Sequence, residues 1–398
     1  MHSGWNAFVL LTWLKAMQKG MVAVMVNKNR IAEEFCRLVE IDSLSFGERE
    51  MADVLKKALT DLGFTVQEDG AGSYYGGNCG NVYGFLEGTI AGEPLLFSAH
   101  MDTVGPGLNK RAVMHQDGRI TSDGSTVLGA DDISGIVAIL EAVRTIKEQG
   151  LAHRSIEVLF TVAEEVYIRG SEVYDFSNIK AREAYVLDLS GPVGTAALAA
   201  PTLVSFTATI TGKASHAGFA PELGINAIAV TAQAISKIRQ GRIDQDTTVN
   251  IGLIEGGKAR NIVPDQCVLK GEVRSLFHDM ALSETNRIED ILRKEATLHH
   301  AGLEFATEFG CLAYQVDREH PVVRRFETVC EELGYRSEYT TTFGGSDNNN
   351  FLRHGITGIV LACGMNQVHS CSEYTHIEEL VKCSDIILKL MTGKDQGI

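Results

Sequence analysis

Residues 95–107 read LLFSAHMDTVGPG, an apolar run that ends in His100, Met101 and Asp102. How that ending is read decides the fold. A run this apolar suits a strand buried on both faces. Side chains alternate along a strand, so His100 and Asp102 share a face and sit side by side. Alone, the stretch leaves two readings open: a core histidine satisfied by a carboxylate, or a metal or catalytic site.

The flanking sequence supplies the frame. Ile31, Phe35, Leu38 and Val39 follow helical spacing, as do Met51, Val54, Leu55, Ala58, Leu59 and Leu62. Short apolar runs follow in FTVQ, NVYGFLEG, SIEVLFTVA and AYVLDL, and DISGIVAILEAVRTIKEQG reads as a helix stopped by Gly150. Strands alternating with helices predict an α/β fold: a mixed, largely parallel sheet with helices on both faces. From about residue 200 the pattern becomes alternating, in TLVSFTATITGKAS, TTVNIGLIEGG, DQCVLKGEVRSL and LEFATEFGCLAYQV. Helical stretches near 221–239 and 279–300 separate these runs. The β-α-β-β-α-β order predicts an inserted α+β domain of ferredoxin-like layout. After residue 316 the first style returns, with helices at 320–334 and 377–391 around GITGIVLACG. The expected division is an N-terminal extension at 1–26, a catalytic domain at 27–200 and 316–398, and the insertion at 201–315.

A chain of 398 residues exceeds the usual size of one core, which agrees with two domains. Its formal charge of -15 argues against nucleic acid or an anionic membrane as partner. The eight cysteines are scattered without a CxxC pair, the pattern of free thiols in a reducing compartment, so a cytoplasmic location is expected. Cys371, two residues past His369, reads as an inert thiol rather than a ligand. The N-terminal stretch AFVLLTWL is too short to span a bilayer and has no basic segment ahead of it. Met21 or Met25 is therefore the expected start of the working protein.

In α/β sheets, ligands bind beyond the carboxyl ends of the strands. Five segments send acids or imidazoles there: His100 and Asp102, Asp131 and Asp132, Glu164 and Glu165, Asp188, and His369 with Glu373. Each has a plain alternative, such as helix capping for Asp131–Asp132 or a solvated strand end for the Glu pair. Together, so many carboxylates repel one another unless a cation neutralises them. Two imidazoles with carboxylates and no paired thiolates suit Zn²⁺, Co²⁺ or Mn²⁺. The number of ligands suits two ions, bridged by a carboxylate at a spacing of about 3.5–4 Å. Adjacent Glu164 and Glu165 cannot point the same way from an extended strand. One is free to bind metal while the other acts as general base.

Taken in order, SAHMDTV, GADD, TVAEEVYIRGS, YVLDLSGPVG, ASHAG, NIVPD, GGSDNNNF and HSCSEY resemble the peptidase T-like branch of the metallopeptidase family that includes aminoacylases and glutamate carboxypeptidases. The likeness runs from about residue 27 to 390. It implies two zinc ions per subunit, one held by His100, Asp131 and Asp188, the other by His369, Glu165 and the bridging Asp131. It also implies Glu164 as general base and Asp102 as the carboxylate that fixes the tautomer of His100. The insertion would be a lid and dimerisation domain that makes a homodimer and carries the substrate-binding residues His216, Arg274 and Asn261. Tyr167 and Leu189 depart from the family pattern beside the site, where relatives carry smaller residues, so substrate size is open. GGNCGNVYG precedes a strand and no long helix, which argues against a nucleotide-binding loop.

The resulting expectation is a dinuclear exopeptidase that acts on short peptides by a metal-activated water with Glu164 as base. The alternative is an amidohydrolase of N-acyl amino acids, or a carboxypeptidase, on the same fold. A catalytically silent metal-binding protein fits less well, because such a protein has no use for Glu164.

Overall fold

The computed structural model describes residues 26–393, so the expected N-terminal extension and the choice of start codon fall, Val26 apart, outside the described residues. The larger sheet runs in the order Thr65–Glu68, Val82–Leu86, Ile156–Thr161, Leu95–His100, Glu183–Leu189, Thr357–Ala362, Thr195–Ala200 and Tyr314–Gln315, with Glu338–Thr341 also paired to Thr195–Ala200. The four central strands are mutually parallel, and antiparallel pairs flank them on either side. This is the predicted mixed, largely parallel sheet.

The apolar runs form strands because both faces are covered. Leu95, Phe97 and Ala99 enter one core while Leu96 enters the other. Tyr185 and Leu187 go with the first, Ala184 and Val186 with the second. Helix Ala130–Gln149 lies against the strands Leu95–His100 and Glu183–Leu189 and against the last helix, Ile377–Thr392. Gly135 lets it approach closely: a Cβ there would stand 2.7 Å from the Leu187 Cβ and 2.9 Å from its carbonyl oxygen. The helix ends as predicted at Gly150, in left-handed conformation.

Leu95–His100 lies between Ile156–Thr161 and Glu183–Leu189, so the chain leaves it in turn toward opposite edges of the sheet. That reversal opens a crevice at the carboxyl ends of the strands.

The insertion is a separate antiparallel sheet in the order Gly241–Arg242, Thr247–Gly256, Gln266–Ser275, Thr202–Thr211 and Gly302–Cys311. Helices Ala227–Ile235 and His278–Leu298 pack on it. One sequence expectation needs correction. The helix near 221–239 is a short 3-10 turn, Pro221–Leu223, followed by a helix starting at Ala227. The Asn226 side chain accepts the Ala229 N–H and caps it, so the turn and the helix cannot merge. Asn349 spans both chain crossings between the domains, its Nδ2 donating to the carbonyl of Leu312 at 2.7 Å and of Pro201 at 3.5 Å. A third sheet joins Val113–Met114, Arg119–Thr121 and Tyr374–His376. Among the described residues no helix is long and apolar enough to cross a membrane.

Candidate metal centre

Four parallel strands deliver the ligand candidates to one edge. Leu95–His100 ends in His100, Ile156–Thr161 leads into Glu164 and Glu165, and Glu183–Leu189 carries Asp188. His369 comes from the turn after Thr357–Ala362. Asp131 and Asp132 enter from the start of helix Ala130–Gln149, where neither has helical φ/ψ.

Asp131 stands between the two imidazoles. Its Oδ1 is 3.0 Å from His100 Nε2, and its Oδ2 is 3.4 Å from His369 Nε2. The same Nε2 atoms each face a second carboxylate, Asp188 Oδ1 at 3.9 Å from His100 Nε2 and Glu165 Oε2 at 2.9 Å from His369 Nε2. Ligand atoms about 2.1 Å from a tetrahedral zinc stand about 3.4 Å from each other, and these spacings bracket that value. Glu164 shares the first half of the centre, its carboxylate lying within 4.8 Å of both His100 and Asp188 ligand atoms. The two halves differ in exposure. The His100 side chain is 1% exposed and that of His369 is 52% exposed.

The charges fit a bound cation. Burial, then the charge of Asp188, pushes Glu164 well above the usual carboxylate range. Burial and Asp131 do the same to Asp188, and burial raises Asp132 and Glu165. Burial works against ionised Asp131 too, but hydrogen bonds from His100 and His369 outweigh it and hold Asp131 low. For His369 the bonds to Asp131 and Glu165 dominate and lift it to about 10. Without a cation, the cluster keeps its acids together only by taking up protons. Divalent ions relieve the same repulsion and bind the same oxygens. The donor set of imidazoles and carboxylates is that of zinc and its neighbours.

Further carboxylates hold these ligands in place. The Asp102 carboxylate accepts the N–H of Glu164 at 2.9 Å and of Glu165 at 3.2 Å, and the Ser45 hydroxyl at 2.6 Å. His100 Nδ1 donates to the backbone carbonyl of Asp102 at 2.9 Å, whereas its distance to the carboxylate is 3.5 Å. A carbonyl can only accept, so Nδ1 carries a proton whatever the state of Nε2, which faces Asp131. Asp102 therefore orients His100 chiefly through its main chain, and its carboxylate fixes the Glu164–Glu165 turn. Three further carboxylates, whose supporting role no local spacing signals, brace the same segments. Glu48 accepts the Ala163 N–H, Asp347 takes the hydroxyls of Thr161 and Ser171, and Glu373 accepts the N–H groups of Leu128, Gly129 and Asp131. Their signal lies in the fold rather than in local spacing, although GGSDNNNF and HSCSEY mark two of the three segments.

The inserted-domain candidates lie apart from this cluster. The exposed His216 accepts the N–H of Gly218 and of Phe219 at Nδ1, both at 3.1 Å, and its ring stacks on Phe219. A nitrogen that accepts two hydrogen bonds holds no proton, so the ring proton is on Nε2, which is free to donate. Asn261 is exposed next to it, its carbonyl accepting the Ala217 N–H at 3.0 Å. Arg274 spans Glu272 with two nitrogens at 2.8 and 3.2 Å and donates to the Phe343 carbonyl at 2.8 Å. Among the described residues, none of these contacts reaches the metal-centre carboxylates. Tyr167 is exposed with φ of 74° on the turn after Glu165.

Residues 198–299 match the family described as Peptidase dimerisation domain, and residues 81–247 match Peptidase family M28. The uncharacterised protein YqjE of Bacillus subtilis is 38% identical, over 92% of this chain and 99% of its own length. The crystal structure of aminopeptidase PepT from Bacillus cereus is 36% identical with a TM-score of 0.86, covering 92% of this chain and 99% of that one. A tripeptidase from Staphylococcus aureus is 32% identical with a TM-score of 0.90, over 92% and 98% of the respective chains.

Proposed function

Because the chain belongs to the peptidase T-like branch of the dinuclear metallopeptidases, we propose that it is an exopeptidase releasing the N-terminal residue of short peptides, tripeptides foremost. The observation that carries this reading is Asp131, which offers one oxygen to each histidine, each backed by a further carboxylate. His100, Asp131 and Asp188 would hold one ion and His369, Asp131 and Glu165 the other, with zinc foremost and Co²⁺ or Mn²⁺ as substitutes. When bound, the metals supply Lewis acidity toward the scissile carbonyl and the attacking water. Glu164 takes the proton from that water and passes it to the amine nitrogen as the C–N bond breaks. Donor spacing alone also admits Glu164 as a ligand beside Asp188, so its role needs a metal count as well as a rate.

The same reading divides the chain into 27–200, 201–315 and 316–398. It makes the working form a homodimer through the inserted domain. His216 of the partner subunit then polarises the scissile carbonyl through Nε2–H, Arg274 receives the substrate carboxylate and Asn261 contacts the substrate. A direct test is to strip the metals, restore Zn²⁺, Co²⁺ or Mn²⁺, and compare free tripeptides with N-acetyl amino acids. Turnover of tripeptides supports the reading. Turnover of N-acyl amino acids alone replaces it with an amidohydrolase.

A further inference from the structure

His369 poses a problem of placement. It is half-exposed, sits in left-handed backbone with φ of 61°, and lies two residues after Gln367, also left-handed at 53°. Its neighbour Val368 packs against the core, while the His369 ring stands half in solvent with Nε2 facing Asp131 and Glu165. The turn is closed at its base by paired N–H···O bonds between Asn366 and Tyr374, and inside by Ser370, whose hydroxyl donates to the Gln367 carbonyl. Those bonds shape the turn without fixing it to the rest of the centre.

Glu373, four residues past His369, makes that connection. It is 1% exposed. Its Oε2 accepts the N–H groups of Leu128 and Gly129, both at 2.8 Å, and its Oε1 accepts the Asp131 N–H at 3.0 Å. The backbone is irregular at Asp131 and Asp132, and the Asp132 Oδ1 caps the regular helix by accepting the Gly135 N–H at 3.2 Å, so the N–H groups of Leu128, Gly129 and Asp131 ahead of it need another acceptor. The acceptor arrives instead from 242 residues downstream, on the segment that bears the other metal's histidine. One side chain thus ties the backbone of the bridging ligand to the segment that carries the exposed ligand four residues away.

We propose that Glu373 is a positioning residue that sets the spacing of Asp131 and His369 by tying their two segments together, an inference resting on the metal assignment above. Ligand-supporting groups of this kind typically alter metal affinity by about 10- to 100-fold when removed. The test is zinc binding to the stripped full-length protein, by equilibrium dialysis with metal analysis, for wild type, Glu373→Gln, Glu373→Asp and His369→Ala. Glu373→Gln keeps the volume but turns an NH₂ group toward backbone donors, and Glu373→Asp is one methylene too short. Both are expected to bind the more weakly held zinc about 10- to 100-fold more weakly, with a smaller change at the other position. The thermal stability of each metal-free variant, measured alongside, separates this from a purely structural role. Lowered stability with wild-type affinity for both ions overturns the proposal, and so does failure of both Glu373 variants to fold in excess zinc. His369→Ala keeps the two questions apart. If that variant still binds two ions as wild type does, the metal assignment fails. If it loses one ion while the Glu373 variants bind normally, only the role of Glu373 fails.

Discussion

The metal edge of the catalytic domain and the inserted domain both bury acids but give them different partners, although elsewhere in the catalytic domain buried Glu34 and Glu141 also pair with arginine. In the inserted domain Glu295 is buried and pairs with Lys237, and Glu284 is buried and pairs with Arg239 and Arg287. At the edge of the catalytic sheet, the ion pairs of Asp131, Asp188 and Glu165 among the described residues are with histidine alone. A buried carboxylate without a matching cation is costly, and nothing in folding requires several to meet. The inserted domain's pairs read as architecture. The catalytic cluster reads as a site built for a cation that the chain itself does not supply.

The largest expected effect tests the catalytic side of that contrast. Glu164→Gln removes the proposed base while leaving the ligands alone. It is expected to retain two metals and lose more turnover than the usual general acid–base contribution of about 10²–10⁴-fold. Near-normal turnover with two metals bound would falsify the role, and loss of one metal would make Glu164 a ligand.

Asp131→Ala removes the carboxylate proposed to serve both ions and is expected to lower occupancy at both positions. Asp188→Ala should weaken chiefly one. Metal analysis showing the same single-site loss in both variants contradicts the bridge. A chelator should abolish activity, and added metal should restore it, because no covalent nucleophile is involved.

In the proposed function His216 serves a metal centre by reaching across to a second subunit. Equal amounts of His216→Ala and Glu164→Ala, each inactive alone, are mixed so that subunits exchange. Random pairing makes half the dimers mixed, each with one site that retains both groups, so roughly a quarter of all sites should revive. Silence from a mixture shown to exchange rejects the shared site and assigns His216 to the centre of its own chain.

The smallest effect concerns Arg274, whose guanidinium spans Glu272 in this structure. A fork of this kind also fits a substrate carboxylate, and lysine cannot reproduce it. Arg274→Lys is expected to cost more on free tripeptides than on their C-terminal amides. Equal losses return Arg274 to the ordinary ion pairs of its domain.

Parts of the fold hidden from the sequence share a cause. Thr195–Ala200 reads TAALAA, with neither alternation nor bulk, and becomes a strand because Thr357–Ala362 and Glu338–Thr341 pair with it. Val113–Met114 and Tyr374–His376 are too short to carry a period and exist through their pairing with Arg119–Thr121. The strands that end in or lead to His100, Glu164 and Asp188 are legible because they are buried on both faces, which makes their sequences largely apolar.

What the sequence determined by itself is the set of chemical groups and the ends of elements on which they sit. An acid or imidazole that closes an apolar run lies at a strand end, and strand ends in α/β sheets collect at one edge. Only the tertiary structure decided the pairings: which oxygen of Asp131 faces which imidazole, that the Asp102 carboxylate turns to the Glu164 and Glu165 N–H groups, and that Glu373 accepts the Asp131 N–H. Periodicity reports which face a residue occupies within its own element. A hydrogen bond between segments 242 residues apart is fixed by how whole elements pack, and no local spacing encodes it.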